Sequence, residues 1–395
     1  MFARLGYWYV LSSPVLAVLT YVGDFRILGF IYTGWIWVIC LILGLLLLEV
    51  QILLLRERRV AFPYLPWAAW MALLWVSLLW TRAPLMRAVQ DACQISMPLV
   101  MGMAAAEFVV DRRQLRTLLA CFRIALPSLI VLYVADLLGL MGPPSPASNR
   151  VLGMTAALLG CVFLAELPQR ILPALLGWGV CVALAFMTGS RMATLAAVVS
   201  PLFHPLLRGA KFRLIGVAAI ALIGLAVFYS PLFQERFFDS GHGNLSDVFQ
   251  GDFVSSGRFE VWPQIYEEMW KSPVLGAGVG SVTQFVPLVW PDMAHPHNDY
   301  LRIAFDLGLV GLAGFLLLLA WQAWDLRRLL RATEGPAKMA ATAGLLGLVV
   351  FALLATTDNP LVYNLWYTNP LLALIGGAYG VAGNKPLPPA EGSGR

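Results

Sequence analysis

The sequence predicts an all-α protein, a polytopic helical bundle crossing a membrane about twelve times, with one sizeable external loop that carries an amphipathic helix. Three observations support this. Of 395 residues, 59% are hydrophobic and 12% charged, whereas a soluble domain carries about 25% charged residues. Mean hydropathy is +0.76. The apolar residues fall in continuous runs of about 20, long enough to cross a hydrocarbon layer of ~30 Å as helices, and they do not alternate as strands of a β-barrel would.

The runs lie at roughly 5–22, 29–55, 62–80, 94–110, 117–140, 152–168, 171–189, 192–207, 214–233, 299–323, 339–357 and 364–382. The first lacks a small-x-small cleavage site and leads straight into another run, so it reads as a retained helix rather than a signal peptide. The breaks at Pro168-Gln169-Arg170 and at Pro201, His204 and Pro205 are the weakest boundaries. Residues 1–233 form an N-terminal membrane bundle of about nine spans and 234–298 a loop. Membrane helices follow over 299–384, and the Pro- and Gly-rich tail 385–395 reads as disordered. The five cysteines, Cys40, Cys93, Cys121, Cys161 and Cys181, lie in or beside apolar runs without metal-site spacing and read as packing residues.

The charge distribution gives an orientation. The pI is near 9.0, yet the basic residues occupy short loops, which indicates topology and argues against a nucleic-acid partner. Seventeen of the 27 Lys and Arg fall on one side and nine on the other, with Arg123 inside a span. The positive-inside rule then puts both termini in the cytoplasm and the 234–298 loop outside. Arg123, Asp136 and Glu166 are the ionisable residues expected within spans.

The external loop is organised. Arg258–Trp270 sets Phe259, Trp262, Tyr266 and Met269 at three- and four-residue steps, giving an aromatic face suited to lying along the membrane or over the bundle. Ser272-Pro273 ends that helix, and Gly276, Gly278 and Gly280 follow as a flexible turn. A GxGxG string without a strand before it and a helix after it is poor ground for a phosphate loop. The loop acids lack DxD spacing, so no metal site is expected.

Three external positions combine the right chemistry. Arg191 follows Thr188-Gly189-Ser190, and Arg258 begins the amphipathic helix after Ser256-Gly257. His297 precedes a helix that Asn298 or Asp299 can cap. The positive end of that helix disfavours imidazolium, leaving His297 able to accept a proton. Gly308, Gly311 and Gly314 form a small-residue stripe for close helix packing. Taken singly, an arginine at a span end is usually a snorkelling anchor and a loop histidine usually inert, as His242 and His295 are expected to be. The combination on one membrane face is what points to chemistry.

Thr188-Gly189-Ser190-Arg191, Gly257-Arg258-Phe259-Glu260-Val261-Trp262 with Ser272-Pro273-Val274-Leu275-Gly276-Ala277-Gly278, and His297-Asn298-x9-Gly308-x-x-Gly311 resemble the bacterial O-antigen ligase and polymerase family. The likeness covers roughly residues 185–325 in detail, and Asp358-Asn359-Pro360 is also similar. It implies a multi-pass, GT-C-like glycosyltransferase of the inner membrane. Such an enzyme transfers a glycan from undecaprenyl diphosphate, at the periplasmic face, to an acceptor hydroxyl. By that resemblance Arg191, Arg258 and Asn298 would bind substrate, with the arginines on the diphosphate, and His297 would act as general base. The reaction would need neither metal nor other cofactor. The acceptor would be lipid A-core for a ligase, or a growing lipid-linked glycan for a polymerase with a chain-length regulator as partner. No residue separates these two, and the reading leans only slightly to polymerase. The alternative from composition is a transporter or flippase, but no internal repeat relates the halves and few ionisable residues lie in the spans.

Overall fold

A computed structural model of the chain describes residues 2–19, 33–55, 61–140, 146–206, 209–250, 252, 254 and 257–383. The start of the expected 29–55 span, the end of the 5–22 span, Ser256 and the 385–395 tail lie outside the described residues. Helices dominate, and no strand occurs among the described residues.

The helices, in chain order, are α1 (Phe2–Leu19), α2 (Thr33–Leu55), α3 (Leu65–Val76), α4 (Leu85–Phe108), α5 (Arg112–Leu137), α6 (Pro146–Leu164), α7 (Ile171–Met187), α8 (Arg191–Val199) and α9 (Ala210–Phe228). The loop region holds α10 (Pro231–Phe237), α11 (Leu245–Gln250), α12 (Arg258–Met269) and α13 (Ser281–Val289), and the C-terminal part α14 (Asp299–Ala332), α15 (Gly335–Leu354) and α16 (Thr368–Gly383). Three of these, α5, α14 and α15, are long and apolar enough to cross a membrane. Six shorter apolar helical stretches accompany them: Val38–Ile52, Leu65–Leu79, Asn149–Leu164, Ile171–Met187, Arg191–Phe203 and Leu214–Phe228. Among the described residues the expected count of about twelve spans is thus not confirmed. The reason is plain at α8, whose nine residues give way at Pro201 to a 3-10 turn, Ser200–Phe203. At 1.5 Å per residue its α-helical part covers only about 14 Å.

The core centres on α4, which packs against α16, α2 and α1. Close approach to α16 depends on Gly376 and Gly380, one helical turn apart. A Cβ on the first would clash with the Gly102 carbonyl oxygen, and one on the second with that of Ala106. This is the small-residue contact by which membrane helices associate without a hydrophobic drive. Two ion pairs lie in the helical bundle. Arg123 Nη1 meets Glu166 Oε1 at 3.1 Å, and the buried Arg302 lies 3.3 Å from Asp91. Burial leaves such pairs little net stabilisation, but removing one partner strands the other, a loss of several kcal/mol.

Two details of the loop region differ from the sequence expectation. On α12 the buried face is aliphatic: Val261, Ile265 and Met269 pack with Val282, Val286 and Phe305, while Phe259 and Tyr266 stay exposed. Pro263 lies inside the helix, five residues past its first residue Arg258. The second difference concerns Gly308, which does not continue a smooth stripe. Its φ of 67° and ψ of −171° break α14 into two helices.

The break has a purpose in the packing. The segment after α12 runs alongside it, with Leu309 N–H donating to Pro273 O at 2.8 Å and Ala277 N–H to Phe305 O at 2.9 Å. A Cβ on Gly308 would clash with Val274 O, and one on Gly276 with Asp306 O. The two glycines interlock, so the Gly276–Gly280 segment is fixed rather than flexible. The Asp306 carboxylate accepts from Gly280 N–H at 3.0 Å and Val282 N–H at 2.9 Å. Those donors are thereby spent on a carboxylate, in agreement with a turn rather than a phosphate loop.

Candidate active site

Each of the three sequence-predicted residues stands at or just before the start of a helix, next to left-handed backbone. Gly189 (φ 71°) precedes Ser190 and Arg191, the first residue of α8. Gly257 (φ 78°) precedes Arg258, the first residue of α12. His297 itself has φ 51°, the single non-glycine residue with positive φ among the described residues, and α14 follows it. A β-carbon there is strained, at a cost of about 1–2 kcal/mol. Cations at the N-termini of α8 and α12 oppose the helix dipole. Helix starts that carry arginine, with no side-chain cap, are suited to an anion rather than to helix stability.

The supports are specific. Asn298 caps α14, accepting from Leu301 N–H at 2.9 Å. Asp299 serves as a brace. It is fully buried, accepts from Leu361 N–H at 2.8 Å and donates its own N–H to Ala355 O at 2.9 Å. These bonds pin the start of α14 to the turn between α15 and α16. Trp262 Nε1 donates to Pro296 O at 2.7 Å, tying the Arg258 helix to the His297 loop. Arg191 spreads both terminal nitrogens over Val254 O at 3.2 Å and lies 5.2 Å from the centre of the Phe237 ring.

Around His297 the structure assembles a set that the sequence motifs assign only in part. Asp358 Oδ1 is 3.7 Å from Nδ1, and Asn359 Nδ2 is 3.0 Å from the same atom. Arg150, on α6, brings Nη1 to 2.9 Å from Nε2 and 3.2 Å from Nδ1. By sequence Arg150 counts only as an external charge. It sits in no recognisable string, and 147 residues separate it from His297. Asp358-Asn359 carries a motif likeness but no role that the sequence assigns.

The arginines sense one another. Burial, and then the Arg150 charge, push Arg258 down to about 10, with Asp358 opposing and Arg191 adding to the fall. It remains a cation at neutral pH. Burial is also the main cause that lowers His297 below its ordinary value; the Asp358 hydrogen bond opposes this, while Arg150 and Arg258 reinforce it. Arg191 is lowered by burial first and feels the Arg150 charge as well. His295 is held neutral by burial and by Arg302, His297 and Arg87, so it faces the buried Arg302–Asp91 pair as well as the candidate site.

Arg191 and Arg258 also line one cavity of about 460 Å³, whose walls are otherwise largely apolar and include Phe186, Ile220, Phe228, Phe233 and Trp262. Two cations in a largely apolar lining suit an amphiphile with an anionic head.

Residues 174–316 match a family model described as O-antigen ligase. The matched segment is a little over a third of the chain and is similar to O-antigen ligase. The O-antigen ligase segment contains Arg191, Arg258, His297 and Gly308, the residues that carry the resemblance. Arg150, Asp358 and Asn359 lie outside it, although they touch its histidine. No curated protein matches the chain.

Proposed function

We propose that the protein transfers a glycan from undecaprenyl diphosphate to an acceptor hydroxyl at the periplasmic face of the inner membrane. The observation that carries this reading is the single cavity lined by both Arg191 and Arg258, whose wall residue Trp262 is hydrogen-bonded to Pro296 O in the His297 loop. The apolar lining of that cavity takes the polyprenyl chain, and the two guanidiniums take the diphosphate through paired, charge-assisted hydrogen bonds. His297, kept neutral by burial, accepts the acceptor's proton. The acceptor oxygen then bonds to the anomeric carbon, and the bond from that carbon to the diphosphate breaks. Its electron pair leaves on the diphosphate, where the arginines stabilise the charge; loss of such a donor costs about 10²–10³ in rate. Asp358 and Asn359 orient the imidazole from Nδ1, and Asn298 fixes its loop by capping α14. The guanidinium charges take the place of a divalent ion, so transfer is metal-independent.

Purified protein in lipid nanodiscs, given lipid-linked glycan and acceptor without nucleotide, tests the reading. Transfer that persists in a chelator is the expected result. Movement of glycan lipid across the bilayer without transfer would replace it with the transporter reading. The glycan of a deletion strain then assigns the acceptor: full-length polymer left on the carrier indicates a ligase, and single repeat units a polymerase.

A further inference from the structure

At the end of α14 remote from His297, Arg327 and Arg331 line a second cavity, of about 550 Å³. Four residues apart, they stand one above the other on a single helix face. No carboxylate lines the cavity, and among the described residues neither arginine has an ion-pair partner. Phe203, Val217, Leu330 and Leu345 give it apolar walls, and the buried His204 adds a polar one. His204 Nδ1 accepts from Leu206 N–H at 3.2 Å, which puts the ring proton on Nε2. That Nε2–H feels the Leu164 carbonyl but completes no hydrogen bond with it.

The cavity exists because α8 is short. The helix gives way at Pro201, and Leu202, Phe203, His204 and Pro205, which come next, line the recess. With its 3-10 turn, the stretch Arg191–Phe203 rises about 22 Å, at 1.5 Å per α-helical and 2.0 Å per 3-10 residue. A hydrocarbon layer is ~30 Å thick. From the Gly308 break to Arg327, by contrast, α14 rises about 28 Å. A bilayer meets a short span by thinning, which draws its headgroups inward. Trp324 marks the level: it is exposed, and the Arg328 guanidinium lies 4.7 Å from its ring centre. An indole beside a cation is the usual furnishing of a membrane–water interface. The Arg327–Arg331 pair, one turn beyond, thus stands at headgroup depth.

We propose that this recess binds an anionic glycerophospholipid of the leaflet facing away from His297, with Arg327 and Arg331 on its phosphate and an acyl chain along the apolar wall. Paired guanidiniums suit phosphate oxygens, and hydrogen bonds to an ionised group are about twice as strong as neutral ones. Inorganic phosphate shares the head chemistry but would leave Phe203, Val217 and Leu345 without a partner, so the cavity as a whole fits the lipid. An arginine that merely snorkels needs no recess. The bound lipid fills the space where α8 stops short and so seats the helix whose first residue is Arg191. The inference needs α14 to span the membrane, for which it is long and apolar enough, and it is independent of the glycosyl-transfer reading.

The test is native mass spectrometry of the full chain released from nanodiscs that hold equal amounts of phosphatidylglycerol and phosphatidylcholine. Wild type retains phosphatidylglycerol over phosphatidylcholine by at least about tenfold, the worth of one hydrogen bond to a charged group. The double variant Arg327→Gln, Arg331→Gln loses that preference. Arg328→Gln removes a neighbouring charge outside the cavity and keeps it. Val217→Trp fills the recess from the exposed face of α9 with both arginines in place, and it loses the preference as well. The thermal midpoint is higher in phosphatidylglycerol than in phosphatidylcholine nanodiscs for wild type and equal in the two for the double variant. A wild type without preference overturns the proposal, as does a double variant or Val217→Trp that keeps it. Equal loss in Arg328→Gln would reduce the effect to general surface charge, and displacement of the lipid by excess inorganic phosphate would make the site one for a free ion; either result overturns it. Should the double variant fail to fold, Val217→Trp and Arg328→Gln settle the matter between them.

Discussion

His297 adopts a left-handed backbone conformation that a β-carbon resists, and the strain is held by the Asn298 cap and the buried Asp299 brace. Its replacement by alanine is expected to reduce glycan transfer by about 10²–10⁴, the usual worth of a general base, with membrane levels unchanged on a blot; His242→Ala and His295→Ala should be milder. Equal loss at all three would remove the special role of His297. Arg258→Lys keeps a cation but loses the fork, and we expect transfer to fall by at least about tenfold, read as kcat/KM for the lipid-linked donor. The pH dependence follows from the direction of the His297 shift. Burial lowers its proton affinity, so the neutral base persists to more acid conditions than a free histidine allows. The acid limb of kcat/KM should accordingly fall below about pH 6.5, the ordinary histidine value. At this scale the sequence was legible wherever a residue carried a local context. Arg191, Arg258 and His297 each sit in a short string with glycine or asparagine beside them. Arg150, after Ser148-Asn149, belongs to none of the strings that carry the family likeness, and only the folding of α6 against the His297 loop gives it meaning.

Among the elements, α14 shows best what hydropathy conceals. The run stays largely apolar through Gly308, with Asp306 two residues before it, so periodicity reads a single helix where the backbone turns out of it. The signal that could have found the break lies elsewhere in the chain, in Gly276, packed against the Asp306–Gly308 backbone, and Gly278, whose N–H donates to Asp306 O. Gly308→Ala drives a β-carbon into Val274 O at positive φ. We expect it to lower the thermal midpoint of the purified protein and to abolish transfer, because the segment it displaces leads directly into the hydrogen bonds that hold Gly280 and Val282 to Asp306. A Gly308→Ala protein with wild-type stability would show the interlock to be dispensable. For α12, side-chain spacing located the helix and left open whether its aromatic face meets the membrane or the bundle. Its aromatic residues are the larger, but aliphatic Val261 and Ile265 fill the gap against α13 and α14, which leaves Phe259 and Trp262 to wall the cavity.

The whole molecule was legible in class and less so in count. Hydropathy and charge identified a helical membrane protein, whereas helices interrupted by proline or by short connections do not announce whether each crosses the bilayer. The paired state of Arg123 with Glu166 and of Arg302 with Asp91 speaks for scaffold charges rather than for a relay. We predict that turnover needs no energy source and survives chelation, measured as product formed with and without a chelator. The segment that matches O-antigen ligases ends at residue 316 and begins at 174, while the histidine it contains leans on Arg150 before it and on Asp358 and Asn359 after it. Grafting that segment alone into a relative would therefore part the imidazole from its neighbours. A working hybrid would have to exchange α6 and the α15–α16 turn together with it, so these three stretches should be inherited as a unit.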